Sequence, residues 1–110
     1  FKDVAGMIRS FSYAAYAGLF AYVSTRSAAV GEMGPWARIW QTSASASFLK
    51  GYFGTVDGAL FIPAEPSQRD LLLQLFMLDK ALYELNYELN NRPDWVRIPL
   101  TAILGIVRGE

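Results

Sequence analysis

Apolar residues recur at intervals of three and four along most of the chain, the period of a helix with one face turned inward. The first such run starts at Asp3, read as an N-cap, and reaches about Ser24. Val4, Met7, Ile8, Phe11, Ala15, Leu19, Tyr22 and Val23 carry its apolar side. The small residues Ala14, Ala15, Ala17 and Gly18 would let a neighbour approach closely. A polar stretch from Ser24 to Ser27, followed by Gly31 and Gly34, marks a break. Pro35 then suits the first turn of a second helix, where a missing N–H costs nothing. Trp36, Ile39, Trp40, Ala44, Ser47 and Phe48 lie along one side of it, the two tryptophans reading as core anchors, with an end near Gly54. Asp57-Gly58 through Ile62-Pro63 reads as a turn and loop. Pro66-Ser67 supplies the next start signal, with Asp70 in the first turn, and the pattern runs to Asn90-Asn91 before Pro93 stops it. A short last helix follows Pro99, with Leu100, Ile103, Leu104 and Val107 on one face. No period-two run, repeat or low-complexity tract appears, so the expected fold class is all-α with about four helices.

The third helix carries two seams. Leu71, Leu75, Leu78, Leu82, Leu85 and Leu89 form an apolar seam that reads as its packing face. Leu73, Phe76, Lys80, Tyr83, Tyr87 and Asn90 form a second, displaced by two residues, or roughly 200° around the axis. Tyrosine rings offer flat apolar faces to the C–H side of a sugar, while phenol oxygens and an ammonium hydrogen-bond its hydroxyls. The same spacing also fits an ordinary solvated surface: Lys80, Glu84 and Glu88 are four apart, and the tyrosines would then cap the core edge.

Composition narrows the field. At 110 residues the chain is one domain at most, and 53% hydrophobic against 18% charged residues leaves apolar surface that a partner would cover. Ten basic and ten acidic residues cancel without a basic stripe, which argues against nucleic acid. Zero cysteines exclude disulfides and fit a reducing cytoplasm. Zero histidines remove the commonest metal ligand and general base. The apolar run from Phe11 to Val23 is shorter than the roughly 20 residues of a spanning helix, and few Lys or Arg surround it, so no membrane role is expected.

Two segments carry a family likeness. Lys2-Asp3-Val4-Ala5-Gly6-Met7-Ile8-Arg9-Ser10-Phe11 through Tyr13-Ala14-Ala15-Tyr16 resembles the stretch that follows the catalytic region of maltokinases. Asp79-Lys80-Ala81-Leu82-Tyr83-Glu84-Leu85-Asn86-Tyr87-Glu88, with Asn91-Arg92-Pro93-Asp94-Trp95 and Ile98-Pro99-Leu100, resembles their C-terminal signature, and Phe48-Leu49-Lys50-Gly51-Tyr52 also fits. The resemblance implies a helical C-terminal subdomain, residues 1–110, of an aminoglycoside-phosphotransferase and protein-kinase-like lobe. The parent would transfer the γ-phosphoryl of ATP, with magnesium, to maltose, giving maltose 1-phosphate; its wording is similar to forms fused behind a trehalose synthase. The family's ATP-covering loop, His-Gly-Asp segment and Asp-Phe-Glu segment all precede the matched part. Opening on Phe1, this piece is therefore expected to hold no catalytic, cofactor or metal residue and to be inactive alone. By motif the resemblance assigns acceptor-sugar contacts to Lys80, Tyr83 and Tyr87. Asn90, Arg92 and Trp95 would shape the helix end, with Trp95 near enough to approach the sugar. Expected partners are the missing N-terminal part of the kinase, maltose, a trehalose synthase domain, and a second copy through exposed apolar surface. The competing reading is a non-catalytic helical module that docks on another domain or chain.

Overall fold

The computed structural model describes residues 1–26 and 30–110, with side chains described outside 23–32. The described residues form four α-helices and no strand, so the fold is all-α: α1 (Lys2–Arg26), α2 (Val30–Val56), α3 (Pro66–Asn91) and α4 (Arg97–Arg108), with a 3₁₀ turn at Pro93–Trp95. The chain groups into two compact units, one made of Phe1–Arg9 with Pro63–Glu110 and the other of Ser10–Ile62.

In the first unit, α1 opens one residue earlier than the sequence suggests. Asp3 is inside the first turn: the Phe1 carbonyl accepts the Ala5 N–H at 2.8 Å, and the Asp3 carboxylate accepts the Val4 N–H at 2.9 Å. That places its charge where the helix dipole favours an anion, without acting as a cap. Val4, Ala5, Ile8 and Arg9 are buried. On α3, Glu65 is the N-cap residue and Pro66 occupies the first turn; Asp70 lies beyond that turn, and no side chain caps the helix. Arg69 instead reaches back to the carbonyls of Pro63 and Ala64.

The packing side of α3 corrects the sequence reading. Ala81, Glu84 and Glu88 are buried, with Leu73 and Met77 partly sheltered on the same side, whereas four leucines of the expected seam, Leu71, Leu75, Leu82 and Leu89, are exposed and only Leu78 and Leu85 are partly sheltered. This inner stripe lies between the two seams, roughly 100° from each at 3.6 residues per turn. Two carboxylates can face inward because each has a guanidinium. Arg9 Nε donates to Glu84 Oε1 at 2.7 Å, and Arg92 Nη2 donates to Glu88 Oε1 at 2.8 Å. Glu84 and Glu88 are therefore not part of a solvated surface.

The chain packs α4 and the 3₁₀ turn against α3. Helix α4 begins at Arg97, so Pro99 is inside its first turn rather than before it, and Ile98 and Pro99 are the buried residues. Of the face expected from sequence, Ile103 is partly sheltered while Leu100, Leu104 and Val107 are exposed. Gly109 ends the helix in the left-handed conformation (φ 72°), its N–H reaching back to the Gly105 and Ile106 carbonyls.

In the second unit, the expected break between the first two helices falls partly on residues 27–29, outside the described residues. Because α2 already starts at Val30, Pro35 is inside the helix, not in its first turn. Its missing N–H removes a single i→i−4 bond, and the 27-residue helix continues past it. The sheltered stripe of α2 runs through Ala37, Gln41, Ala44, Phe48 and Tyr52; it keeps Ala44 and Phe48 of the predicted side and takes Ala37 and Gln41 where Trp36 and Trp40 were expected. Trp36 and Trp40 are 67% and 50% exposed and do not anchor a core. Ala37 and Gln41 turn inward in their place. Phe11 holds α1 to α2 through edge contacts with Trp40 and Phe48, at ring separations of 6.4 and 5.9 Å. Among the described residues, a Cβ added at Gly18 would meet nothing within 4 Å, so none of them makes a close approach at that position. Helix α2 runs on to Val56, past the end expected near Gly54, and the Asp57-Gly58 turn follows with Gly58 at φ 78°.

Candidate functional site

The sequence-predicted residues sit on the second half of α3, where the helix is ordered by its inner stripe and closed by Arg92. Tyr83 and Tyr87 are four apart and both exposed, at 64% and 45%. Lys80 lies one turn before them, with its Nζ 5.1 Å from the Tyr83 ring centre, inside cation–π range. The structure thus brings Lys80 and Tyr83 together directly, and places Tyr87 on the next turn of the same face.

Arg92 completes the row. Its guanidinium carbon stands 5.6 Å from the Tyr87 ring centre and 4.1 Å from that of Trp95. Sequence reasoning gave Arg92 and Trp95 to the helix end and missed the contact with Tyr87. The available signal was a cation five residues after one aromatic and three before another, across a proline that turns the chain back. Asn90 does not join the row as a ligand group: its Nδ2 donates to the Asn86 carbonyl at 2.7 Å. Asn91 likewise donates to the Tyr87 carbonyl at 2.9 Å, holding the last turn of the helix.

Chemically, the row offers two flat apolar ring faces, two phenol groups and an ammonium, with a guanidinium–indole pair at one end. That combination suits a neutral ligand that has both C–H faces and hydroxyls. Among the described residues no three His, Cys, Asp or Glu side chains come together as a metal cage. The sequence carries no phosphate-cradling glycine loop. A shallow groove of about 550 Å³ on α2, lined by Ser47, Phe48, Gly51, Tyr52, Thr55 and Val56, shares no residue with the row. No helix among the described residues is long and apolar enough to cross a membrane. Compared with known proteins, the chain matches no family model and no solved structure.

Proposed function

We propose that this chain is the acceptor-sugar-binding C-terminal portion of an ATP-dependent maltokinase, acting in the cytoplasm and joined in its parent to a trehalose synthase. The parent would form maltose 1-phosphate from maltose and ATP, with the nucleotide and magnesium held by parts that this chain does not supply. The observation that carries the reading is the row of half-buried Lys80 and exposed Tyr83 and Tyr87 on α3, with Lys80 Nζ against the Tyr83 ring. Those are the positions that the maltokinase-like wording of residues 79–95 assigns to the sugar. From Lys80 to Tyr87 the helix rises ~10 Å, a length suited to two linked sugar rings. Tyr83 and Tyr87 would lie against the C–H faces, and Lys80 would donate to hydroxyls.

The test is maltose-dependent ADP formation by the complete polypeptide that carries this chain. Lys80→Ala and Tyr87→Ala should each raise the KM for maltose about tenfold, the effect of losing a contact worth about 1.4 kcal/mol. Their kcat should change much less, since binding is lost in ground and transition states alike. Unchanged KM in both variants would remove the site. No turnover of maltose with ATP and magnesium would remove the kinase reading.

A second reading rests on a different observation. The leucines at 71, 75, 82 and 89 stand exposed along one side of α3. They suit a helical interaction module that docks on another domain or chain, and in a severed kinase lobe they would meet the missing part.

A further inference from the structure

We infer that Glu88 and Arg92 form a positioning clamp, which fixes the Tyr87 ring and the Trp95 indole as adjoining walls of the sugar face. This rests on the sugar-binding reading above and names residues that the family resemblance does not assign to the ligand.

The clamp begins with a carboxylate that is fully buried: the Glu88 side chain has 0% exposure. One of its oxygens, Oε1, accepts two bonds from Arg92, from Nε at 3.1 Å and from Nη2 at 2.8 Å. Two donors of one planar group converging on a single oxygen fix which edge of the guanidinium faces Glu88 and at what distance, which a single ammonium does not do. The backbone adds a second restraint, because the Arg92 N–H donates to the Glu88 carbonyl at 2.8 Å. Held this way, the guanidinium stands 4.1 Å from the Trp95 ring centre and 5.6 Å from that of Tyr87. The Trp95 N–H in turn donates to the Arg92 carbonyl at 2.9 Å. One arginine therefore sets two aromatic rings from different elements, the helix end and the 3₁₀ turn.

Ending the helix needs none of this side-chain geometry. The backbone bond of Arg92 and the ring of Pro93 suffice for that. What the side chain adds is a fixed relation between two rings, one of which, Tyr87, is 45% exposed and open to a ligand. A ring already held in place costs a ligand less ordering on binding. Arg92 and Glu88 act on the sugar through Tyr87 and Trp95, and so are positioning residues.

The experiment compares Arg92→Lys, Glu88→Gln, Tyr87→Ala and the Tyr87→Ala/Arg92→Lys double variant in the maltose assay of the complete polypeptide. Arg92→Lys keeps the charge and loses the planar fork. It and Glu88→Gln should raise the maltose KM about fivefold, with little change in kcat or in the KM for ATP. The double variant should fall short of the product of the two single effects, because both changes act through the Tyr87 ring and only the Trp95 part is left for Arg92→Lys to remove. A second measurement needs no variant. In the unmutated chain, the Arg92 Nε–H resonance should lie upfield from ring currents and should move with the Tyr87 ring signals as maltose is added. If Tyr87→Ala loses maltose while Arg92→Lys does not, or if their effects add, the clamp is wrong and the sugar face stands. A Tyr87 signal that moves while the Arg92 signal stays still would have the same meaning. If neither maltose turnover nor any maltose-dependent shift is found, both the clamp and the sugar face fall.

Discussion

Arg9 shows how much of this fold hangs on single polar residues. It lies among apolar residues near the start of α1, where a sequence reading passes over it, and its partner Glu84 is 75 positions away. Both side chains are buried, at 2% and 9% exposure. Removing either breaks a buried charge pair, which costs far more than the loss of a surface pair. Arg9→Leu or Glu84→Leu should each lower unfolding stability by about 3–5 kcal/mol, read from urea denaturation. The double variant should recover much of that loss, since two leucines of similar bulk leave no orphaned charge. Equal, additive losses in the double variant would show that the pair is not the source of the cost. The Asp57-Gly58 turn was legible at this scale, because Asp-Gly marks a turn and only glycine enters the left-handed region cheaply. The inward-facing glutamates were not. A lone glutamate on a helix reads as solvated unless its cation is known, and that cation is set by tertiary contact.

At the scale of elements, helix number and type were readable, and on α1 the expected Val4, Ile8 and Leu19 are buried, while the rotation of α2 and α3 about their axes was not readable. On α2 the large rings of Trp36 and Trp40 drew the expected face towards themselves, yet in the first half of the helix the sheltered side follows Ala37 and Gln41. On α3 six leucines outweighed one alanine and two glutamates in the same way. The helix nonetheless turns Ala81 inward, where the missing bulk allows close approach and Glu84 and Glu88 can meet their arginines. The row of Lys80, Tyr83 and Tyr87 was legible because it needs only spacing on one helix. Its extension to Arg92 and Trp95 was hidden by the turn at Pro93. The displaced leucine seam has a consequence of its own. With Leu75 and Leu82 changed to Gln, stability should move by no more than about 0.5 kcal/mol per site, as for other exposed positions. Sedimentation of the unmutated chain should show concentration-dependent association that the double change weakens. A wild-type chain that stays monomeric at high concentration would argue against the seam as a docking surface.

For the whole molecule, balanced charge and a high apolar fraction act together. A chain with a formal net charge of zero and 53% hydrophobic residues has little electrostatic repulsion to keep copies apart. Solubility near neutral pH should therefore be limited, whichever reading of the leucine seam holds. The make-up of the first unit matters more. It draws Phe1–Arg9 from one end of the chain and Pro63–Glu110 from the other. Between them, Leu60 and Phe61 stand 104% and 72% exposed in a turn outside any helix, the kind of exposed loop tip that proteases nick. Chymotrypsin at limiting concentration should cut there first. The two pieces should then travel together on gel filtration, because the contacts of Phe1–Arg9 with the rest of that unit, the Arg9–Glu84 pair among them, do not depend on the severed peptide bond. Immediate separation of the pieces would show that those contacts are too weak to hold them. Co-elution would make the chain a two-fragment system, in which each half can be produced, labelled or varied alone and the fold restored by mixing.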